Sequence, residues 1–170
     1  IARCLQSVSD ISDEILILDS GSTDDTVLVC QSFEGVTVIQ TEWLGYSQTK
    51  NKGASLAKHQ FILSIDADEC LDQEAVNAIK QLKISGLKGT YSLNRKNYFG
   101  KRWIKYAGWY PDVKMRLYDK HTAQWTGDFV HETLTLNEQV TIQHIAGNIL
   151  HYTVRDQRHH EDTVRKYARL

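Results

Sequence analysis

The sequence predicts a single α/β domain built on a mostly parallel sheet, and three observations lead to this prediction. Strand-like and helix-like segments alternate from Ile1 to about Lys83, as they do in consecutive βα units. From Thr90 to Tyr152 the segments become short, aromatic and separated by Gly or Asp, which indicates antiparallel strands and loops. The length of 170 residues suits one domain with a sizeable core. We therefore expect one domain over residues 1–170, with an irregular, β-rich second half.

Three apolar runs in the first half have the character of strands buried on both faces. They read EILIL, VTVIQ and FILSI, at residues 14–18, 36–40 and 61–65. Helices are predicted around them, at residues 1–8, 22–35 and 47–58 and after Asp72, which is expected to cap the last of these helices. A charged helix is predicted over residues 155–170.

Composition limits the classes of function. The net charge of −1 gives no reason to expect nucleic acid as a partner. No apolar run approaches the length that crosses a bilayer. Cys4, Cys30 and Cys70 lack the spacing of zinc ligands, which favours reduced thiols in a cytoplasmic protein. The chain opens on a helix-like segment without an initiator Met, so we expect a fragment cut just after a first strand.

The stretch ILDSGSTDDT places Asp19 where an apolar run ends and a flexible turn begins. An aspartic protease needs two such motifs to supply two Asp residues, and the chain has one. A metal site of the adhesion type requires a side-chain hydroxyl at position 21, where this chain has a glycine, so one ligand of such a site is missing. A turn-forming aspartate and the floor of a nucleotide pocket remain as interpretations of Asp19.

The stretch SIDADE puts Asp66 and Asp68 directly after another apolar run. Two carboxylates two residues apart on an extended segment point the same way. Mg²⁺ or Mn²⁺ is commonly held by one or two carboxylates together with substrate phosphate oxygens, and open α/β sheets bind ligands at the carboxyl ends of their strands. The pattern therefore predicts a site for a cation and a diphosphate.

The order of ILDSGSTDDT, WLGYSQTKNKGASLA and FILSIDADE resembles family 2 glycosyltransferases of the GT-A fold. The later stretches YSLNRKNYFGKRWIKYAGWYPDVKMRLY and AQWTGDFVHETL resemble the lipopolysaccharide core β-1,4-glucosyltransferase group. This resemblance implies a Rossmann-like, mostly parallel GT-A sheet flanked by helices, with the family's first strand missing. It also implies a metal-dependent, inverting transfer of glucose from UDP-glucose to inner-core lipopolysaccharide, a glycolipid acceptor at the cytoplasmic membrane face.

The resemblance further implies roles for individual residues. Binding of the nucleotide sugar is expected from Asp19, Gly21, Lys50, Asn51 and Asp66, and binding of Mn²⁺ or Mg²⁺ from Asp66 and Asp68. Glu132 is the candidate general base, with Asp112 and Asp128 as rivals and a solvated glutamate at a strand edge as the structural alternative. Candidates for the acceptor side are Trp109, Asp112, Trp125 and His131.

Several alternatives remain open. Arg116 could meet phosphate or lie on a strand surface, and His151 could complete the metal shell or serve structure. A nucleotidyltransferase would usually carry a basic, Gly-rich loop near its amino terminus, and the sequence has none. A non-catalytic nucleotide- or sugar-binding α/β domain is the other alternative. Peripheral membrane contact is expected, if present, from the last basic residues, Arg155, Arg158, Arg165, Lys166 and Arg169.

Overall fold

A computed structural model describes residues 1–127, 132–137, 139–154, 156–158, 161 and 164–165. Asp128 and His131 lie outside the described residues, as do Arg155, Lys166 and Arg169 and most of the helix predicted over residues 155–170. Among the described residues, no helix is both long enough and apolar enough to span a bilayer.

The predicted α/β fold class is confirmed, with helices concentrated in the first half and strands in the second. The helices are α1 (Ala2–Val8), α2 (Thr26–Gln31), α3 (Tyr46–Leu56) and α4 (Gln73–Ser85). The strands are β1 (Ile15–Asp19), β2 (Val36–Gln40), β3 (Phe61–Leu63), β4 (Glu69–Leu71), β5 (Thr90–Phe99), β6 (Arg102–Trp103), β7 (Asp112–Asp119), β8 (Ala123–Thr126), β9 (Thr133–Leu136) and β10 (Ile142–Val154).

The strands form three hydrogen-bonded groups. β1 and β2 pair in parallel, from Ile15 opposite Val36 to Asp19 opposite Gln40. A larger sheet has the order β3-β7-β5-β10-β4, with β6 added to β5, and β8 and β9 form a separate antiparallel pair. In the larger sheet β5 and β10 are parallel, whereas β3 is antiparallel to β7. Among the described strands two pairings are parallel and five are antiparallel, so the pairing is mixed rather than mostly parallel as predicted. Both β3 and β4 of the first half pair with strands of the second half.

The core lies where α4 packs against the large sheet. Ala75, Val76 and Ile79 are buried on one face of α4, as their spacing predicts, and they meet Leu93 and Ile149 of the sheet. The predicted cap is also confirmed, because the Asp72 carboxylate accepts a hydrogen bond from the Ala75 N–H at 3.0 Å. The main core therefore follows the helical periodicity of the sequence.

A cleft separates β1 from β3. Among the described residues, β1 pairs only with β2 and β3 only with β7, so each strand has one open edge. Between these edges lies a cavity of about 1850 Å³, lined by the apolar residues of both strands and by Leu5 and Val8 of α1. The Glu14 carboxylate accepts the Lys58 N–H at 2.8 Å, which places the beginnings of β1 and β3 at the same end of the cleft.

Gly147 allows β10 to approach the first turn of α4. It lies in a bulge, because the register with β5 shifts between His144 and Asn148, and its φ is +91°. A Cβ atom at this position would lie 2.7 Å from the Asp72 carboxylate and would also clash with the backbone of Ala75. Only a residue without a side chain fits this contact.

We predict that Gly147→Ala lowers the free energy of unfolding by about 2–5 kcal/mol, the sum of left-handed strain and overpacking. Gly86→Ala is the matched control, because Gly86 has a φ of +88° but no atom within 4 Å of its added Cβ. The control should lose about 1–2 kcal/mol in urea denaturation. Equal losses in the two variants would show that the contact with α4 is unimportant.

Candidate active site

The segment at residues 64–68 carries both acids of the SIDADE stretch. β3 ends at Leu63, two residues earlier than the apolar run predicts, and the chain then turns before β4 begins at Glu69. The Ser64 N–H still donates to the Arg116 carbonyl at 2.8 Å, and the Glu69 N–H closes the turn on the Asp66 carbonyl at 2.9 Å. This turn places Asp66 and Asp68 at the carboxyl end of β3, as expected, but their carboxylates meet different partners.

The Asp66 carboxylate lies between two cations. Its Oδ1 is 2.9 Å from Lys50 Nζ and its Oδ2 is 3.0 Å from an Arg116 guanidinium nitrogen. Burial raises the pKa of Asp66, but the positive charges of Arg116 and Lys50 together outweigh burial and hold the pKa below its usual value. Asp66 is therefore ionised, and each of its oxygens already has a cationic partner.

Arg116 and Glu69 form a buried ion pair beneath Asp66. Their side chains are 3% and 0% exposed, and the distance between the guanidinium nitrogen and Glu69 Oε1 is 2.8 Å. Arg95 approaches the same oxygen at 3.2 Å, while Glu69 Oε2 accepts the Asp66 N–H at 3.1 Å. The interpretation of Arg116 as a residue on a strand surface is therefore wrong.

Sequence reasoning passed over Glu69 and Arg95. Glu69 begins the short apolar run ECL, which suggests a buried carboxylate. A buried carboxylate requires basic partners, so this position could have been predicted to form an ion pair. The identity of these partners cannot be predicted from local sequence, because Arg95 and Arg116 are far from Glu69 in the chain and lie on strands of the second half.

Lys50 joins Asp66 to Glu132. Its Nζ lies 3.4 Å from Glu132 Oε1 as well as 2.9 Å from Asp66, and its side chain is only 11% exposed. The ammonium group also lies 4.5 Å from the centre of the Trp125 ring. Three of the residues expected in the site are thus brought together from α3, from the turn after β3 and from the residue that precedes β9.

The structure gives Asn51 and Trp125 a structural role. The Asn51 amide donates to the Trp125 carbonyl at 2.8 Å and accepts its N–H at 2.9 Å, so it clamps β8 onto α3. Trp125 is 4% exposed and its indole N–H donates to the Tyr118 hydroxyl at 3.0 Å. This burial contradicts the expectation that Trp125 stacks on an acceptor sugar, and the Asn51 amide is occupied by protein rather than facing a nucleotide.

Asp68 faces His151. The distance between Asp68 Oδ2 and His151 Nε2 is 3.3 Å, and His151 Nδ1 is 2.6 Å from Asn97 Oδ1. Because Asn97 donates through its amide nitrogen to Asp112 at 3.2 Å, its oxygen accepts here and His151 Nδ1 carries a proton. Burial raises the pKa of Asp68, but the hydrogen bond from His151 and the charge of His151 lower it. The pKa of Asp68 is therefore below its usual value.

The hydrogen bond from His151 to Asn97 is of the kind that metal-binding histidines make. A histidine that binds a metal through one nitrogen usually donates its other N–H to a carbonyl or carboxylate, as His151 does to Asn97. The Asp68 carboxylate is about half exposed, so it is the more accessible acid of the pair. Among the described residues no group of three or more His, Cys, Asp or Glu is clustered like a metal site.

Asp112 is engaged on both of its carboxylate oxygens. Arg95 lies 2.8 Å from Oδ2 and Lys114 lies 3.0 Å from Oδ1. Burial raises the pKa of Asp112, but hydrogen bonds and charge from Lys114, Arg95 and Asn97 lower it overall. These partners make Asp112 a weaker candidate for the general base than Glu132. Trp109 is 38% exposed and remains available at the surface, whereas Asp128 and His131 lie outside the described residues.

Asp19 organises its own turn. Its carboxylate accepts hydrogen bonds from the backbone N–H groups of Gly21 and Ser22, each at 3.2 Å, and Asp19 is 4% exposed. Hydrogen bonding from Ser22 is the main influence that lowers the pKa of Asp19. Gly21 has a φ of +93°, which explains the choice of glycine within this turn. The contacts present here are those of a turn-forming aspartate.

Comparison with known sequences identifies relatives over most of the chain. The family model "Glycosyl transferase family 2" matches residues 1–145. An uncharacterized glycosyltransferase of Rickettsia typhi is 33% identical over 153 residues, which cover 82% of this chain and 50% of the relative. The SPbeta prophage-derived glycosyltransferase SunS of Bacillus subtilis is 35% identical over 96 residues, covering 55% of this chain and 22% of SunS.

Comparison with solved structures supports the fold. Crystal structures of residues 1–349 of S. aureus TarS superpose with a TM-score of 0.53 for the complex with UDP and 0.51 for the complex with UDP-GlcNAc. The sequence identities are 18% and 17%, and the UDP complex aligns over 71% of this chain and 43% of TarS. The chain spans about half the length of the curated relatives it matches most extensively.

We predict that Glu69→Gln lowers the free energy of unfolding by about 3–5 kcal/mol, because it leaves two arginines without their shared carboxylate. Urea denaturation measures this loss. Glu34→Gln, at an exposed position, is the matched control and should change stability by less than about 0.5 kcal/mol. A loss from Glu69→Gln no larger than that of the control would mean that the buried pair contributes nothing to stability.

Proposed function

Because the chain belongs to glycosyl transferase family 2, we propose that it transfers a hexose from a UDP-sugar to a saccharide acceptor with inversion at the anomeric carbon. The complexes of TarS with UDP and with UDP-GlcNAc support a nucleotide-sugar donor. We further propose glucose as the hexose and inner-core lipopolysaccharide as the acceptor, on the resemblance of residues 91–118 and 123–134 to the core glucosyltransferase group. Such an acceptor would place the enzyme in the cytoplasm, at the inner membrane.

The observation that carries the proposal is the convergence of Asp66, Lys50 and Glu132. Lys50 Nζ contacts both carboxylates, at 2.9 and 3.4 Å, and all three residues line the large cavity between β1 and β3. Glu132 Oε2 makes no hydrogen bond or ion pair with any described residue, so it is free to accept a proton. The side chain is 22% exposed, which allows contact with a substrate hydroxyl.

In the proposed reaction Glu132 acts as the general base. It takes the proton of the acceptor hydroxyl as that oxygen attacks C1 of the donor sugar from the face opposite UDP. The new C1–O bond forms as the bond from C1 to the β-phosphate oxygen breaks, and UDP leaves with the electron pair. Lys50 lies between the base and Asp66, where its charge would favour the anionic diphosphate.

We propose that Mn²⁺ or Mg²⁺ is held by Asp68 together with His151 and the diphosphate of the donor. Asp68 is exposed and His151 has the N–H donation to Asn97 that metal-binding histidines show, so these residues fit a cation. A bound cation would supply neutralisation of the UDP leaving group. Asp66 would join the shell only by giving up Lys50 or Arg116, so we propose that its main task is to orient these two cations.

For the nucleotide we propose the turn at Asp19 and Gly21 as one wall. Gly21 is exposed and has no atom within 4 Å of an added Cβ, which leaves room for a base above the turn. Asp19 would act through the shape of the turn, since its oxygens are already hydrogen-bonded to the backbone. In a titration with UDP, Asp19→Ala should lose about 1–3 kcal/mol of binding free energy, and unchanged affinity would leave Asp19 as a turn former alone.

We also propose that the cleft between β1 and β3 receives one further strand, continuous with the amino end of α1. Both edges are unpaired among the described residues, the apolar side chains of β1 and β3 line the cavity, and Ile1 lines it as well. The added strand would join the two sheets into the continuous sheet that the resemblance to the GT-A fold implies. Its carboxyl end would then lie beside Asp66 and Asp68, next to the proposed donor site.

Of the predictions that test the proposed function, the first concerns the cation. Asp68→Ala should abolish the dependence of UDP binding on Mn²⁺, because the most accessible acid of the site is lost, and it should change stability little. Calorimetric titration of UDP with and without Mn²⁺ measures this effect. Asp10→Ala is the matched control, because Asp10 follows α1, is 76% exposed and pairs with Lys80 rather than with a residue of the site. A variant at Asp68 that keeps the full effect of Mn²⁺ would remove Asp68 from the proposed ligands.

The second prediction concerns the base. Glu132→Gln keeps the shape of the side chain but cannot accept the proton, so kcat should fall by about 10²–10⁴-fold with little change in UDP affinity. Release of UDP from UDP-glucose in the presence of acceptor measures the rate, and Glu34→Gln is the control. Release of pyrophosphate instead would favour a nucleotidyltransferase, and binding without turnover a non-catalytic domain. A larger loss in Asp112→Asn than in Glu132→Gln would reassign the base.

The third prediction concerns the cleft. A longer form of the chain that carries residues upstream of Ile1 should show slower hydrogen exchange at the open edges of β1 and β3, because their N–H groups gain strand partners. The amides of β2 serve as the internal control, since β2 does not border the cleft. Unchanged exchange along β1 and β3 would argue against insertion of a strand.

A further inference from the structure

A loop rich in cationic and aromatic residues projects beside the proposed site. The aromatic-basic loop, defined as residues 96–109, reads KNYFGKRWIKYAGW. It contains four cations, five aromatic residues and no acid, while the whole chain has a net charge of −1. The loop starts in β5, turns through Gly100 into β6 and continues to Trp109. Positive charge is therefore concentrated in this one surface segment.

Within the described part of the chain, no acid neutralises the cations of the loop. Among the described residues, none of Lys96, Lys101, Arg102 and Lys105 makes a salt bridge. Lys96 and Lys105 instead approach one indole, with Nζ at 4.9 and 4.8 Å from the Trp103 ring. Two like charges held against one ring without a carboxylate leave a positive surface that an external anion can complement.

The aromatic residues of the loop are exposed next to these cations. Tyr106 is 81% exposed, Trp109 is 38% exposed and Phe99 is 37% exposed. Large exposed apolar groups beside Lys and Arg are the combination found where proteins meet the interface of a bilayer, with rings at the level of the headgroups and cations on anionic lipids. Aromatic rings beside cations also occur where proteins bind single-stranded nucleic acid, but the net charge of −1 of the whole chain does not favour such a partner, and binding to RNA is one outcome that the test distinguishes.

The loop is linked directly to the proposed catalytic groups. Asn97 lies at its beginning and Trp109 at its end, and the Asn97 amide donates to the Trp109 carbonyl at 3.3 Å. The same side chain accepts from His151, which contacts Asp68. A surface bound by the loop would therefore lie beside the proposed cation site at Asp68 and His151.

We propose that the aromatic-basic loop docks the protein on the surface of an anionic phospholipid membrane. The cations contact lipid phosphates and Tyr106 enters the headgroup layer, so an acceptor carried on a lipid reaches the site from the membrane side. This docking surface differs from the basic residues near the carboxyl end that the sequence suggested. The lipid-borne acceptor rests on the proposed function, whereas binding to the membrane does not.

The test measures cosedimentation of the full 170-residue chain with vesicles. One set contains phosphatidylcholine alone and the other contains phosphatidylglycerol as well. We expect binding only to the second set, and a loss of about 100-fold or more in partitioning for the triple variant Lys101→Glu, Arg102→Glu, Lys105→Glu, since each cation contributes about fivefold at an anionic surface. Tyr106→Ser should weaken binding to phosphatidylglycerol vesicles further.

The matched control reverses three exposed or half-exposed lysines elsewhere, Lys58→Glu, Lys80→Glu and Lys88→Glu, with the same change in net charge. The control should retain binding close to that of the parent. Equal loss in both triple variants, equal binding to both kinds of vesicle, or no binding of the parent would overturn the proposal. So would loop-dependent binding to an RNA oligonucleotide without binding to vesicles. Release of UDP, measured separately, reports on the proposed function alone.

Discussion

The buried carboxylate of Glu69 is the interaction on which the rest of the site depends. It is fully enclosed and meets two guanidinium groups, from Arg95 and Arg116, at 3.2 and 2.8 Å. A carboxylate of this kind is tolerated only when paired, so β4, β5 and β7 must keep their register for the charges to cancel. The same side chain accepts the Asp66 N–H and so fixes the turn that follows β3.

From this buried pair a chain of alternating charges leads outward to the proposed catalytic group. Arg116 forms an ion pair with Asp66, Asp66 forms one with Lys50, and Lys50 forms one with Glu132. Each charged group is therefore restrained by the opposite charge of its neighbour. Asp66 and Asp68 consequently differ in character despite their spacing, because one faces the buried cations and the other faces His151 and solvent.

Asn97 joins this charged centre to the surface. It holds the His151 ring in one tautomer, donates to Asp112 and anchors the backbone at Trp109. The aromatic-basic loop is therefore built on the same residue that orients a proposed metal ligand.

The local part of this architecture was determined by the sequence alone. The apolar runs, the periodicity of α4, its cap at Asp72 and the position of Asp66 and Asp68 at the end of β3 all depend on neighbours within a few residues. These features can be predicted from the sequence, because the periods of strands and helices and the geometry of helix caps depend on residues that are close together in the chain. The resemblance of the first half to a known family rested on these same local stretches.

The tertiary structure decided which residues share a site and which are buried. Glu69 meets Arg95 and Arg116 only because β4, β5 and β7 lie in one sheet, and Trp125 becomes core only because Asn51 clamps β8 onto α3. No pattern within a strand contains such pairings, since they depend on strand order and on distances across the fold. The sequence thus determined the chemistry available at each position, and packing decided which of these groups became partners.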